Sequence, residues 1–100
     1  MQTFTKIIID PGAEQALLNG NSLLAVGITQ VAGEFSKGDA VSVIIEQREV
    51  ARGLVNYPGH ELRQILGQHS ESIANILGYQ GANTVMHRDN LVILNRGGAA

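Results

Sequence analysis

Three adjacent side chains, His87-Arg88-Asp89, are the obvious place to look for chemistry. In protein kinases an H-R-D triplet supplies the catalytic base and is followed, at a fixed interval, by a magnesium-binding Asn. Here Leu94 occupies that interval and Asn95 arrives one residue late. No Gly-rich phosphate loop precedes the triplet and no D-F-G follows it, so the motif lacks its context. The remaining reading is a polar turn in which Asp89 or Asn90 starts a buried strand. The histidines, His60, His69 and His87, lack metal-ligand spacing, and there is no cysteine to complete a zinc or redox site. Asn19-Gly20-Asn21-Ser22 and Ala32-Gly33 match neither the dinucleotide nor the Walker pattern, and turn geometry explains them. No Ser, His and acid can be singled out as a triad.

Composition narrows the remaining classes. Seven basic residues face nine acidic ones, giving a net charge of −2. Nucleic-acid affinity rests largely on Lys and Arg at phosphates, so nothing global draws this chain to RNA or to an anionic membrane. A local basic patch remains open, since net charge averages over faces. The basic residues Lys6, Lys37, Arg48, Arg52, Arg63, Arg88 and Arg96 are scattered along the chain. The aromatics that could stack on bases are four, Phe4, Phe35, Tyr57 and Tyr79, and burial is the default for each. Phe35 reads as a core anchor, and Tyr79 as packing under a helix-ending glycine. With 100 residues, 44% apolar and 16% charged, the chain reads as a single folded domain, 1–100, with a core over about 5–94 and a frayed tail at 95–100. No apolar run approaches the roughly 20 residues of a membrane span. No apolar segment follows a basic start, so no signal peptide is expected. A cytoplasmic home is permitted.

The elements that would position these residues follow from periodicity. Lys6-Ile7-Ile8-Ile9 reads as a buried strand. Asp10-Pro11-Gly12 opens a helix, with Asp10 as cap and Pro11 at its first position. Ala13, Ala16 and Leu17 continue it at helical spacing, and Gly20 suits a left-handed stop. From Leu23 to Val55 the pattern turns to strands: Val41, Val43 and Ile45 alternate, and a polar turn Glu46-Gln47-Arg48-Glu49 leads to a partner from Val50. Two short helices follow, carrying Leu62, Ile65 and Leu66 before Gly67, and Ile73, Ile76 and Leu77 before Gly78, with Ser70 as the expected cap of the second. They form a helical hairpin that needs a sheet to pack on. Leu91-Val92-Ile93-Leu94 is expected to be a last buried strand.

Several of these stretches resemble one family in residue order. Ile9-Asp10-Pro11-Gly12-Ala13-Glu14-Gln15-Ala16-Leu17-Leu18 and Gly20-Asn21-Ser22-Leu23-Leu24-Ala25-Val26-Gly27-Ile28 are similar to the opening of a PUA domain. Val31-Ala32-Gly33-Glu34-Phe35, Lys37-Gly38-Asp39-Ala40-Val41-Ser42-Val43 and Ala51-Arg52-Gly53-Leu54-Val55-Asn56-Tyr57 continue the series. Ser72-Ile73, Leu77-Gly78-Tyr79 and Val85-Met86-His87-Arg88-Asp89-Asn90-Leu91-Val92 resemble specifically the C-terminal PUA domain of glutamate 5-kinases. The likeness spans roughly 5–94.

The resemblance implies an α+β fold, mainly β: a mixed β pseudo-barrel with about three short helices. It implies a parent enzyme of proline biosynthesis that phosphorylates glutamate with ATP and Mg in a separate N-terminal amino-acid-kinase domain. No catalytic, cofactor-binding or metal residue is carried over to this chain, which would be an excised domain or a truncated or free-standing relative. The implied role is a non-catalytic module that regulates or assembles its parent, with the kinase domain or a neighbouring subunit as partner. The alternative is RNA binding, as in other PUA domains, through the first helix and the loop after it. Its candidate contacts are Gly20, Asn21, Ser22, Leu23, Leu24 and Gly27, with Lys6 and Arg88 if the fold gathers them. Asn21 and Val26 stand where RNA-binding relatives often carry lysines, which weakens that alternative. Pro58-Gly59-His60 departs from the small hydroxyl residues of the kinase family, and is expected to alter only the start of a helix.

Overall fold

A computed structural model describes residues 5–94; the expected frayed tail, 95–100, and Phe4 lie outside them. The architecture is α+β, a five-stranded mixed sheet with three short helices. Strand β1 (Lys6–Ile9) runs through its interior with Ile7 and Ile9 buried and Ile8 half-buried. The alternation follows the two-residue period of a strand whose faces differ. β1 pairs antiparallel with β2 (Ile28–Ala32) and parallel with β3 (Ala40–Ile45). β4 (Arg48–Leu54) and β5 (Leu91–Ile93) extend the sheet antiparallel, giving the order β2-β1-β3-β4-β5.

Helix α1 (Pro11–Leu18) forms as its local sequence dictates. The Asp10 carboxylate accepts from the Ala13 amide at 2.7 Å, satisfying one orphan donor of the first turn. At the other end Gly20 adopts φ 87°, and the amides of Gly20 and Asn21 close back onto the carbonyls of Leu17 and Ala16. This is the Schellman arrangement, which needs a left-handed residue that glycine adopts without strain.

Between Leu23 and Val55 the strands are shorter than expected. Leu23 makes one isolated pairing, with Met86, and Ala25–Gly27 is a single 3-10 turn. The β3–β4 turn is two residues rather than four: Glu46 and Gln47 both take positive φ, 52° and 67°. Two consecutive left-handed residues match the right-handed twist of paired strands, so β4 can begin at Arg48. The register then slips at Val43/Ile44, leaving Val50 as an extra residue between Glu49 and Ala51. That bulge explains why adjacent Val50 and Ala51 are both buried.

Helices α2 (Gly59–Ile65) and α3 (Ser70–Leu77) pack on each other, and α2 also packs on β2. The expected stripe of α2 is realised, with Leu62 and Ile65 buried. α3 begins one residue earlier than expected: His69 is its cap, and the Ser70 hydroxyl lies 3.4 Å from the Asn83 carbonyl instead. Of its stripe, Ile73 is buried while Ile76 is 38% exposed. β5 also departs from expectation. It is an edge strand, not a buried one, with Val92 and Leu94 facing solvent. The core gathers Ile7, Leu23, Tyr57, Leu62, Ile65 and Met86 from all parts of the fold. The Leu23–Met86 bridge ties together the segments that lead into the two edge strands, curving the sheet towards closure.

Candidate functional site

A cleft of about 550 Å³ opens between α1 and the segment that follows it. Its position is set by three local devices. The Asp10 cap fixes where α1 starts, and the Asp10 amide donates to the Gly27 carbonyl at 3.0 Å, holding the loop's end against the helix's beginning. The Gly20 reversal sends the chain back along α1. Gly27 then passes so close that a Cβ there would lie 2.6 Å from the Ala13 Cβ.

Ala13, Ala16, Leu23, Leu24 and Val26 supply the apolar lining, and Asp10, Asn21 and Ser22 the polar groups. The Ser22 hydroxyl oxygen accepts from the Arg88 amide at 2.9 Å, so the 3-10 turn Arg88–Asn90 stands beside the loop. Thus Asn21, Ser22, Leu23, Leu24 and Gly27 line one cleft, Gly20 ends the adjoining helix, and Arg88 is brought alongside through its backbone. Lys6 is not gathered with them along β1: it pairs with Ala32 and Ser42, about 10 Å of strand away from Ile9. By sequence Asp10, Ala13 and Ala16 read only as helix formers. Their shared helical face was the signal that they would also line a groove.

The charged side chains largely compensate one another. Arg48 reaches Glu14 at 3.2 Å and Glu46 at 3.4 Å, Arg52 reaches Glu49 at 2.9 Å, and Arg63 lies 4.0 Å from Glu34 and donates to the Gly33 carbonyl. Contact with Ser42, and then with Arg52, holds the Glu49 carboxyl below its ordinary range. Among the described residues no ion pair involves Lys6, Lys37 or Arg88, and no group of three or more His, Asp or Glu gathers to hold a metal.

The aromatics divide. Phe35 is buried in the core, as expected, and so is Tyr57, whose hydroxyl donates to the Ala82 carbonyl. Tyr79 departs from expectation: it is 46% exposed, and its hydroxyl donates to Glu61 across the α2–α3 hairpin. That carboxylate pushes the Tyr79 phenol up to about 12. His87 shapes its own turn, its Nδ1 accepting from the Asp89 amide at 3.1 Å, so the H-R-D triplet is a structural corner.

The fold that carries the cleft is thus a mixed sheet in the order β2-β1-β3-β4-β5 with a capped helix after its first strand. The PUA domain family model matches residues 5–77, and the chain belongs to that family. It matches the C-terminal PUA domain of glutamate 5-kinases, enzymes of proline biosynthesis. It is 54% identical over 92 residues to a glutamate 5-kinase of Microcystis aeruginosa, covering 90% of this chain and 24% of that protein. It is 57% identical over 90 residues to one of a Synechocystis species, covering 88% of this chain and 24% of that protein. The chain therefore spans about a quarter of the length of these relatives. Among solved structures it is similar in fold to a PUA domain of Aeropyrum pernix K1 crystallised with tartrate, with TM-score 0.61 and 21% identity over 83% of this chain and 41% of that one. It is also similar to a chain of an archaeal box H/ACA sRNP complex, with TM-score 0.59 and 22% identity over 86% of this chain and 26% of that one. Among the described residues no helix is long and apolar enough to cross a membrane.

Proposed function

We propose that this chain is the non-catalytic C-terminal PUA module of a glutamate 5-kinase, and that it regulates or assembles the kinase rather than taking part in phosphoryl transfer. The observation that carries this is identity above 50% to glutamate 5-kinases over nine tenths of the chain. On this reading ATP, Mg and glutamate are bound by the kinase part, the module's partner is that part or a neighbouring subunit, and the location is cytoplasmic. The charge distribution supports it: the net charge is −2, and three of the seven basic residues are engaged by carboxylates within the domain, which lowers the positive charge open to a polyanion. The test is to join this chain to the kinase part of a close relative and to compare it with the kinase part alone. Sedimentation should give a different assembly state, and the proline concentration that half-inhibits glutamate phosphorylation should move. If neither changes when the module is lost, the reading fails.

A second reading, RNA binding, is favoured by one observation: the cleft gathers Asn21, Ser22, Leu24 and Gly27, with Arg88 beside it. Titration of the chain with a folded tRNA at about 50 mM and about 200 mM salt separates the two. Binding that weakens steeply with salt favours RNA. No binding at either salt removes that reading.

A further inference from the structure

The outward face of the sheet at its β4–β5 end is apolar where an exposed antiparallel face is ordinarily polar. Arg52 and Val92 are register partners, so they share a face, and the two-residue period puts Leu54 and Leu94 on it with them. The opposite positions, Ala51 and Gly53, are buried, and Leu91 and Ile93 pack on the core. The outward apolar residues are open: Leu54 is 44% exposed, Val92 61% and Leu94 42%. The charge among them is already cancelled, because the Arg52 guanidinium holds both Glu49 oxygens at 2.9–3.2 Å. Along the same face towards β1, the paired residues Ile44 and Ile8 are half-buried and again apolar.

We propose that this face, centred on Leu54, Val92 and Leu94, docks the kinase part of the longer protein; this rests on the function proposed above. Lys6 shares this face through Ser42 and Arg52, and with Arg52 held by Glu49 it is a single unpaired cation there among the described residues, too little charge to hold a polyanion. A freely diffusing protein finds too little surface, since stable interfaces use roughly 20–30 residues a side. A second copy paired through the β5 edge would engage only its three residues, Leu91–Ile93. A tethered partner is different. A covalent connection supplies an effective concentration in the millimolar range, so a few apolar contacts suffice to hold it. The relatives carry such a partner, because about three quarters of their length lies beyond the 24% matched here. A neutral ion pair inside an apolar patch is also what a protein surface of mixed character accommodates.

Amide hydrogen exchange tests the face. The chain is measured alone and joined to the kinase part of the Synechocystis relative, in place of that protein's matching quarter. Amides of β4 and β5 should exchange at least about tenfold more slowly in the joined protein. The double substitution Leu54→Lys/Val92→Lys should abolish that difference, while Leu24→Lys at the cleft leaves it unchanged. Far-UV circular dichroism of the isolated variants checks that they fold. If the double variant unfolds, Leu94→Lys alone is used, with the same expectation. Equal exchange of β4 and β5 in the two proteins overturns the proposal. Protection of another face, in a joined protein whose assembly or proline response still needs the module, overturns it while leaving the functional reading standing. Loss of any assembly or proline effect removes that reading itself.

Discussion

Replacing Gly27 by alanine should drive α1 away from the end of the loop it packs on. The added Cβ would sit 2.6 Å from the Ala13 Cβ and 3.6 Å from its Cα. Carbon atoms at optimal contact lie about 3.5–4.0 Å apart, so the helix must retreat by about 1 Å. It resists, because the Asp10 carboxylate caps it at Ala13 and the Asp10 amide is bonded to the Gly27 carbonyl. Overpacking of this kind costs about 1–3 kcal/mol. The lower entropy of the unfolded alanine chain offsets about 0.4–1 kcal/mol of that. The net expectation is a loss of about 1–2 kcal/mol, or a melting temperature lower by about 4–15 °C for a domain of this size. Urea unfolding followed by circular dichroism should show a lower midpoint at unchanged slope. Ala13→Gly removes the opposing methyl at a cost of about 0.5–1 kcal/mol in the helix. The pair Gly27→Ala/Ala13→Gly should therefore be more stable than the sum of the single effects by at least about 1 kcal/mol. A neutral Gly27→Ala, or an additive cycle, would refute the argument that this contact sets the width of the cleft.

Gly53→Ala should cost more, over about 2 kcal/mol, because its Cβ would meet the Leu91 Cβ at 2.7 Å and the Asn90 carbonyl oxygen at 2.9 Å, and backbone yields less than a side chain. Thermal unfolding, with faster amide exchange in β5, is the check. Tyr57→Phe deletes the donor to the Ala82 carbonyl in a buried setting, and should lower stability by about 1–2 kcal/mol in urea unfolding with little change in the circular dichroism spectrum. Phenolate absorbance should show Tyr79 ionising at about 12, and Glu61→Gln should bring it down towards the ordinary tyrosine value of about 10. The sign follows from the raised value: the contact with Glu61 stabilises the fold fully below the unfolded tyrosine pKa, and that contribution is lost as pH rises through about 12. Tyr57, held up first by burial, is separated from Tyr79 by repeating the titration in Tyr79→Phe.

Where the sequence alone sufficed, the controlling interaction is local. Asp10, Pro11 and Gly20 specify the ends of α1 because a cap and a left-handed stop depend on a few neighbouring dihedrals. The alternation in β1 and β3 likewise states which residues face inward, and the order of motifs was enough to indicate the PUA family. Tertiary structure decided the rest. Ser70 has the chemistry of a cap, but the path of the chain at 69–70 gives that place to His69. Leu91 to Leu94 are as apolar as β1, yet β5 lies at the sheet's edge while β1 lies between two partners, a fact of strand order rather than of composition. Tyr79 and Ile76 stay partly open although both are apolar-bodied residues beside a helix, so their exposure is set by how α3 sits on α2 rather than by residue type. The cleft joins Asp10 and Ala13 to Asn21 and Ser22, with Arg88 beside them, only because Leu23 pairs with Met86, 63 residues further on. A long-range pairing of this kind is fixed by the packing of the whole core, which no window of sequence contains.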